Sequence, residues 1–169
     1  MKRVMIVGGP GSGKSTLAVA LGKTTGLPVF HMDRIHWQPG WQERPKAQKI
    51  ALVNQVETSP EWILEGGLSV TYDNRASHAD TLIWLDLPLP LRLFRVIKRR
   101  WHYRGGQTRP DLPENCPEKL DWEFLHWVLT TGAGTRRKIQ TTINAAPHLK
   151  VHHLRTRSDV RKFLAASLV

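Results

Sequence analysis

The sequence predicts an α/β protein built on a doubly wound parallel sheet. Three observations carry this expectation. Short apolar runs alternate with helix-period stretches along the chain, the pattern of parallel strands joined by right-handed crossovers. The first run, RVMIVG, is apolar at nearly every position, as a strand buried on both sheet faces must be. It leads directly into GGPGSGKST, residues 8–16, a glycine-rich turn followed by a helical stripe.

The elements follow in order. Leu17, Ala18, Ala20 and Leu21 make a stripe that stops near Gly22 and Gly26. LPVFH reads as the second strand. Ile50, Val53 and Val56 are spaced for a helix, with Pro45 near its first turn. EWILEGG is the third strand, and DTLIWLDLP the fourth, stopped by Pro88. Leu89, Leu93, Val96 and Ile97 lie on one face of a helix over 89–100. Residues 101–119, rich in Gly, Pro and charge, read as a loop or flap. LDWEFLHWVL is helical, as is 135–145. LKVHHL is the fifth strand, and Ser158 is expected to cap a last helix reaching about Leu168.

The 169 residues are enough for one domain with a sizeable core, and no repeat, low-complexity tract or linker divides them. A lone cysteine, Cys116, makes no internal disulfide, which fits a reducing, cytoplasmic setting. No apolar run approaches membrane-spanning length, and MKRVMIVGG is too short in its apolar part for a signal peptide. The net charge is +11, which favours anionic partners without choosing among nucleic acid, phosphorylated metabolites and anionic lipid.

Gly8-Gly9-Pro10-Gly11-Ser12-Gly13-Lys14-Ser15 fits the phosphate-loop pattern G-x-x-x-x-G-K-[ST]. Its glycines let successive backbone N–H groups wrap a phosphate chain, and the next helix adds its positive end. Lys14 is expected to reach the β- and γ-phosphates of ATP. Ser15 is expected on Mg²⁺ and Thr16 on the α-phosphate. The dinucleotide pattern G-x-G-x-x-G fails at Lys14. No guanine-reading N-K-x-D stretch is present, so a signalling GTPase is not expected.

Residues 87–110 hold Arg92, Arg95, Lys98, Arg99, Arg100, Arg104 and Arg109 and no acid. A basic lid closing over the γ-phosphate, about 99–119, is one reading. A nucleic-acid face, with Trp101, His102 and Tyr103 interleaved for stacking, is another. Lys14, Arg99, Arg104, Arg109 and Arg136 are the candidate catalytic cations. Glu65 and Asp86 end neighbouring strand runs and compete for the metal; Ser15 with Glu65 is the preferred pair. Asp33 is the candidate to accept a proton from an acceptor hydroxyl, in a segment of about 33–60 that also holds Trp37 and Trp41. A turn aspartate bonding its own backbone is the alternative for Asp33. Trp37, Gly66, Gly67 and Arg75 are expected on the acceptor side. His31, His36 and Cys116 do not form a convincing metal site.

GGPGSGKSTLA, VFHMDRIHWQPGW, EWILEGG, DTLIWLDLPL, RRWHYRGGQTRPDLPENCPEKLDWEFLHWV and LRTRSDVRKFL together resemble the FlaR-like DNA topology modulation proteins, themselves similar to adenylate and shikimate kinases. The resemblance implies a nucleoside-monophosphate-kinase type of fold with strand order 2-3-1-4-5. It places Asp33 and Gly66-Gly67 on the acceptor side and Arg99 to Arg109 in the lid. Family members often carry Asp-Gly-Asn-Tyr where this chain has Glu65-Gly66-Gly67-Leu68, and adenylate kinases carry Asp-Gly-Phe-Pro-Arg there. AMP is therefore not expected as acceptor. The function expected is an ATP- and Mg²⁺-dependent phosphotransferase acting on a small molecule or nucleotide. The alternative is a nucleotide-gated, DNA-associated regulator, although no helix-turn-helix or zinc finger is present.

Overall fold

The computed structural model describes residues 1–103, 109, 111–117 and 122–167. The elements in chain order are β1 (Arg3–Gly8), α1 (Lys14–Thr25), β2 (Val29–His31), α2 (Met32–His36), β3 (Trp37–Gln38), β4 (Gln42–Glu43), α3 (Lys46–Glu57) and β5 (Trp62–Glu65). A single 3₁₀ turn over Ser69–Thr71 follows. Then come α4 (Tyr72–His78), β6 (Thr81–Leu85), α5 (Leu89–His102), α6 (Trp122–Thr130), α7 (Gly132–Ala145), β7 (Lys150–Leu154) and α8 (Arg157–Ala166).

The apolar run of β1 puts it at the centre of a five-stranded sheet of order β2-β5-β1-β6-β7, with every pairing parallel. With the two-residue strands β3 and β4 set aside, this is the expected order 2-3-1-4-5. Those two pair antiparallel as a separate hairpin.

Alternation along each strand builds a core on each face of the sheet. Met5, Val7, Trp62, Leu64, Leu82 and Trp84 pack with Met32 of α2, Val53 of α3, Tyr72 of α4 and Ile139 of α7. Val4, Ile6, Ile63, Ile83 and Leu85 pack with Leu17, Ala18 and Leu21 of α1, and α8 leans on them through Phe163 and Leu164. A sheet covered on both sides exposes its carboxyl edge as the open end, where β1, β2, β5 and β6 all finish. No helix among the described residues is long and apolar enough to cross a membrane.

The cap of α8 differs from expectation. Thr156, not Ser158, is the N-cap. Its hydroxyl accepts from the Asp159 amide at 3.1 Å, and Asp159 Oδ2 accepts from the Thr156 amide at 2.8 Å. This reciprocal box satisfies two otherwise orphaned donors, which Ser158 inside the first turn cannot do. Thr156→Ala is expected to lower stability by about 1 kcal/mol in urea unfolding.

Candidate active site

The loop after β1 is shaped by what crowds it. Gly11 has φ 72°, and a Cβ there would run into the Arg92 carbonyl. A side chain at Gly9 would strike the Arg92 guanidinium. α5 thus packs directly on the loop. Arg92 Nη1 donates to the Pro10 carbonyl at 3.5 Å, and Arg95 Nη1 donates to the Ser12 carbonyl at 3.0 Å. Both arginines tie carbonyls of the loop, and the Ser12 amide turns back to the Gly9 carbonyl at 3.2 Å. Ser12 Oγ is buried and has no hydrogen-bond partner among the described residues. A polar atom in that condition is explained by a ligand or ordered water that completes it.

Lys14 opens α1, and its ammonium donates to the Gly9 carbonyl at 3.2 Å. Burial lowers its pKa from the usual 10.5. Glu65 and Asp33 pull it back up, and Arg99 and Arg109 push it further down. These four side chains therefore share one electrostatic neighbourhood with Lys14, and they come from β5, α2, α5 and the segment beyond it. Arg104 lies outside the described residues.

Glu65 ends β5 and is almost fully buried. His31 ends β2 in register with it, and His31 Nδ1 lies 2.8 Å from Glu65 Oε1. Asp33 begins two residues later, in the first turn of α2. Burial raises its pKa above 3.8, Glu65 adds to the rise, and Lys14 and Arg109 oppose it.

Asp33 meets the far side of the site through Arg109. Arg109 Nη2 lies 3.5 Å from Asp33 Oδ2, while its Nε donates to Asp111 Oδ1 at 2.8 Å and its Nη2 to Asp111 Oδ2. The Ser15 hydroxyl also favours the ionised form of the Asp111 carboxylate. Burial alone would raise the Asp111 carboxyl, but the Arg109 fork and Ser15 outweigh it and hold its pKa down to about 2. Asp111 is thus an anion resting on the phosphate loop. It was not among the residues picked from the sequence. The signal was present as the first acid after the basic block, in the tripeptide Arg109-Pro110-Asp111.

Gly66 and Gly67 follow Glu65 beside α2. Gly66 has φ 115°, and a Cβ there would come within 2.5 Å of Met32 Cβ. Arg75 sits beneath this turn and not in an open pocket. It is fully buried, with Nη1 donating to the Gly66 carbonyl at 3.0 Å and Nη2 to Thr71 Oγ1 at 2.9 Å. Its Nε faces Glu57 at 3.8 Å, and both side chains are fully buried. Removing one partner of such a pair strands the other. Arg75→Met is expected to cost about 3–5 kcal/mol, much of it recovered when Glu57→Gln is added, as read by urea unfolding of both variants.

Asp86 directly follows β6 and is occupied elsewhere. Arg136 Nε donates to its Oδ1 at 2.7 Å, and His153 Nε2 lies 3.2 Å from Oδ2. Gly9, Asp86, Arg92 and Arg136 line one small cavity of about 20 Å³ beside the loop. Trp37 is half-buried, edge-on to His36 and Trp41 at ring separations of 4.7 and 5.2 Å.

A divalent cation such as Mg²⁺ calls for hard oxygen donors and takes only one or two carboxylates when phosphates supply the rest. Ser15, Glu65 and Asp111 fit that donor set. Among the described residues no group of three His, Cys, Asp or Glu side chains is gathered to hold a metal by itself.

A parallel sheet in this order, with a phosphate loop between β1 and α1, is the P-loop kinase fold. Solved structures that share it include shikimate kinase from Bacteroides thetaiotaomicron, at TM-score 0.58 and 16% identity over 98% of this chain and 95% of that one. Shikimate kinase from Acinetobacter baumannii in complex with shikimate matches at TM-score 0.55 and 13% identity over 99% and 92%. A gluconokinase from Sinorhizobium meliloti 1021 matches at TM-score 0.52 and 13% identity over 99% and 89%. No protein-family model matches the chain. It is 32% identical over 132 residues to the uncharacterized protein YqaC of Bacillus subtilis (strain 168), covering 75% of this chain and 71% of that protein, and it belongs to the same family.

Proposed function

We propose that the chain is a P-loop phosphotransferase that moves the γ-phosphoryl group of ATP to a hydroxyl of a small molecule or nucleotide. The observation that carries this reading is the meeting of Asp33 with Lys14 across one site, with Arg109 reaching both Asp33 and the acid on Ser15. A mere nucleotide-binding module needs the loop but no carboxylate facing it.

The loop amides and Lys14 hold the phosphates. The acceptor oxygen attacks the γ-phosphorus, the bond to the β,γ-bridging oxygen breaks, and the acceptor proton passes to Asp33 as ADP leaves. Lys14, Arg99, Arg104, Arg109 and Arg136 would stabilise charge on the transferring group. Ser15 and Glu65 would hold Mg²⁺, which when bound neutralises charge on the β- and γ-oxygens. Both β5 and β6 flank β1, so strand adjacency does not choose between Glu65 and Asp86. The preference for Glu65 is supported by its action on Lys14 from the bottom of the site, its Oε1 meeting only His31 among the described residues, whereas Asp86 is engaged by both Arg136 and His153. Trp37, Gly66 and Gly67 would border the acceptor, with Arg75 acting through the Gly66 carbonyl.

The test is transfer from γ-labelled ATP with Mg²⁺ to a panel of polyols, hydroxy acids, nucleosides and nucleotides. Transfer to at least one acceptor that is lost in Lys14→Ala is expected. No transfer to any acceptor by the unmodified protein overturns the reading.

A second reading, nucleotide-gated association with DNA, draws support from α5, where Phe94, Ile97 and Trp101 are exposed beside Lys98. The FlaR-like resemblance points the same way. It requires salt-sensitive duplex binding that changes with ATP, and negligible binding at low salt removes it.

A further inference from the structure

The β3–β4 hairpin and residues 111–117 are joined at four points. The Gly40 amide donates to the Glu114 carbonyl at 3.4 Å. The Trp41 amide donates to Cys116 Sγ at 3.4 Å, and the Trp41 indole Nε1–H donates to the Pro117 carbonyl at 3.0 Å. The Cys116 thiol donates to the Gln38 carbonyl at 3.6 Å. Cys116 is fully buried in this joint.

Trp41 also has φ 61°. A bulky residue in the left-handed region is an outlier, and it persists only where its surroundings over-determine it. Here two hydrogen bonds to 116 and 117 and the edge-on contact with Trp37 do so. Trp41 is the last residue of the three-residue turn between Gln38 and Gln42, a position that is commonly left-handed, and its bonds to 116 and 117 let a tryptophan occupy it in place of glycine.

Both joined pieces continue into the site. The hairpin follows directly from α2, which carries Asp33. Residues 111–117 begin with Asp111, which holds Arg109 and whose ionised form Ser15 favours. The same two chain segments therefore touch twice, once in the site through Arg109 and Asp33, and once at the Trp41–Cys116 joint.

We propose that Trp41 and Cys116 are positioning residues: their joint makes the hairpin and residues 111–117 one body, which sets Arg109 against Asp33 and Asp111 against Ser15. Acceptor side and phosphate side are then coupled mechanically, because a change at Ser15 is passed through Asp111 to the joint. The proposal rests on the phosphotransferase reading only for its catalytic consequence; the coupling itself needs no more than nucleotide binding at the loop.

Cys116 is the chain's one cysteine, so a thiol reagent reads the joint alone. The experiment measures labelling of the full chain by a disulfide reagent, with and without Mg²⁺ and a non-hydrolysable ATP analogue. Trp41→Ala is expected to label about tenfold faster than the unmodified protein. Trp41→Phe, which keeps a ring and loses the indole donor, serves where the alanine variant fails to fold, and it is expected to label several-fold faster by the same opening. Nucleotide is expected to slow labelling of the unmodified protein, and Trp41→Phe, which leaves the phosphate loop untouched, is expected to lose most of that protection while still binding a fluorescent ATP analogue. Labelling rates in the folded Trp41 variants within about twofold of the original overturn the joint. Nucleotide protection that is absent, or of equal size in Trp41→Phe, overturns the coupling. A failure to find phosphoryl transfer would overturn the phosphotransferase reading and leave these labelling results intact.

Discussion

Alanine or methionine in place of Lys14 is expected to lower phosphoryl transfer by about 100- to 1,000-fold, the usual cost of removing one aligned donor from developing charge. The structure explains why so much rests on one ammonium. Its one hydrogen bond among the described residues is to a neutral acceptor, the Gly9 carbonyl at 3.2 Å, and burial lowers its pKa despite the opposing pull of Glu65 and Asp33. A desolvated ammonium whose direct partner is neutral is available to an incoming phosphate. Fold stability gives the control. A lowered pKa means that the protonated form is less favourable in the folded chain than in the unfolded one. That cost is present below the folded pKa and is relieved as pH rises through it. Lys14→Met should therefore leave the melting temperature at neutral pH unchanged or raised. A kcat within about threefold of the original would remove Lys14 from the transition state.

The five strands of the main sheet were legible because each reports itself locally, while their order was implied by the resemblance. A buried parallel strand is an apolar run, and GGPGSGKST places the first of them at the nucleotide edge. The pieces between β2 and α3 were not. α2 has five residues and each hairpin strand two, too short for periodicity to show, and their conformation is set by distant partners at 114–117. α4 escaped for the same reason. Charge type misled at Arg75. An arginine soon after a glycine pair suggests an anionic acceptor, but burial against Glu57 turns its guanidinium into a prop for Gly66.

Electrostatic sign in the site was the least legible of all. A run of arginines with no acid among them reads as a cage for phosphate. Asp111 changes that arithmetic, because Arg109 reaches the site already paired to an ionised carboxylate that also occupies Ser15. A triphosphate approaching Ser15 meets an anion there. Bound Mg²⁺ would turn that repulsion into shared ligation, since Asp111 and the phosphates are both hard oxygen donors.

Asp33→Asn carries the second large effect, a loss of about 100- to 10,000-fold in kcat where the carboxylate takes the acceptor proton. The pH profile separates that role from simple binding. Burial and the nearby Glu65 raise the Asp33 pKa above 3.8, and Lys14 and Arg109 hold the rise in check. A base works only when ionised, so the rate must fall as pH drops through this raised value. The acid limb should therefore lie above the ordinary aspartate range. In Asp33→Asn that limb should vanish along with the rate, while affinity for the ATP analogue stays near the original because the loop is untouched. Arg109 keeps its fork on Asp111 in the variant, so the site does not fall apart when its 3.5 Å contact with Asp33 is lost. A variant that retains both full rate and the acid limb would show that Asp33 neither takes the proton nor orients the acceptor. The turn-capping alternative for that residue would then stand.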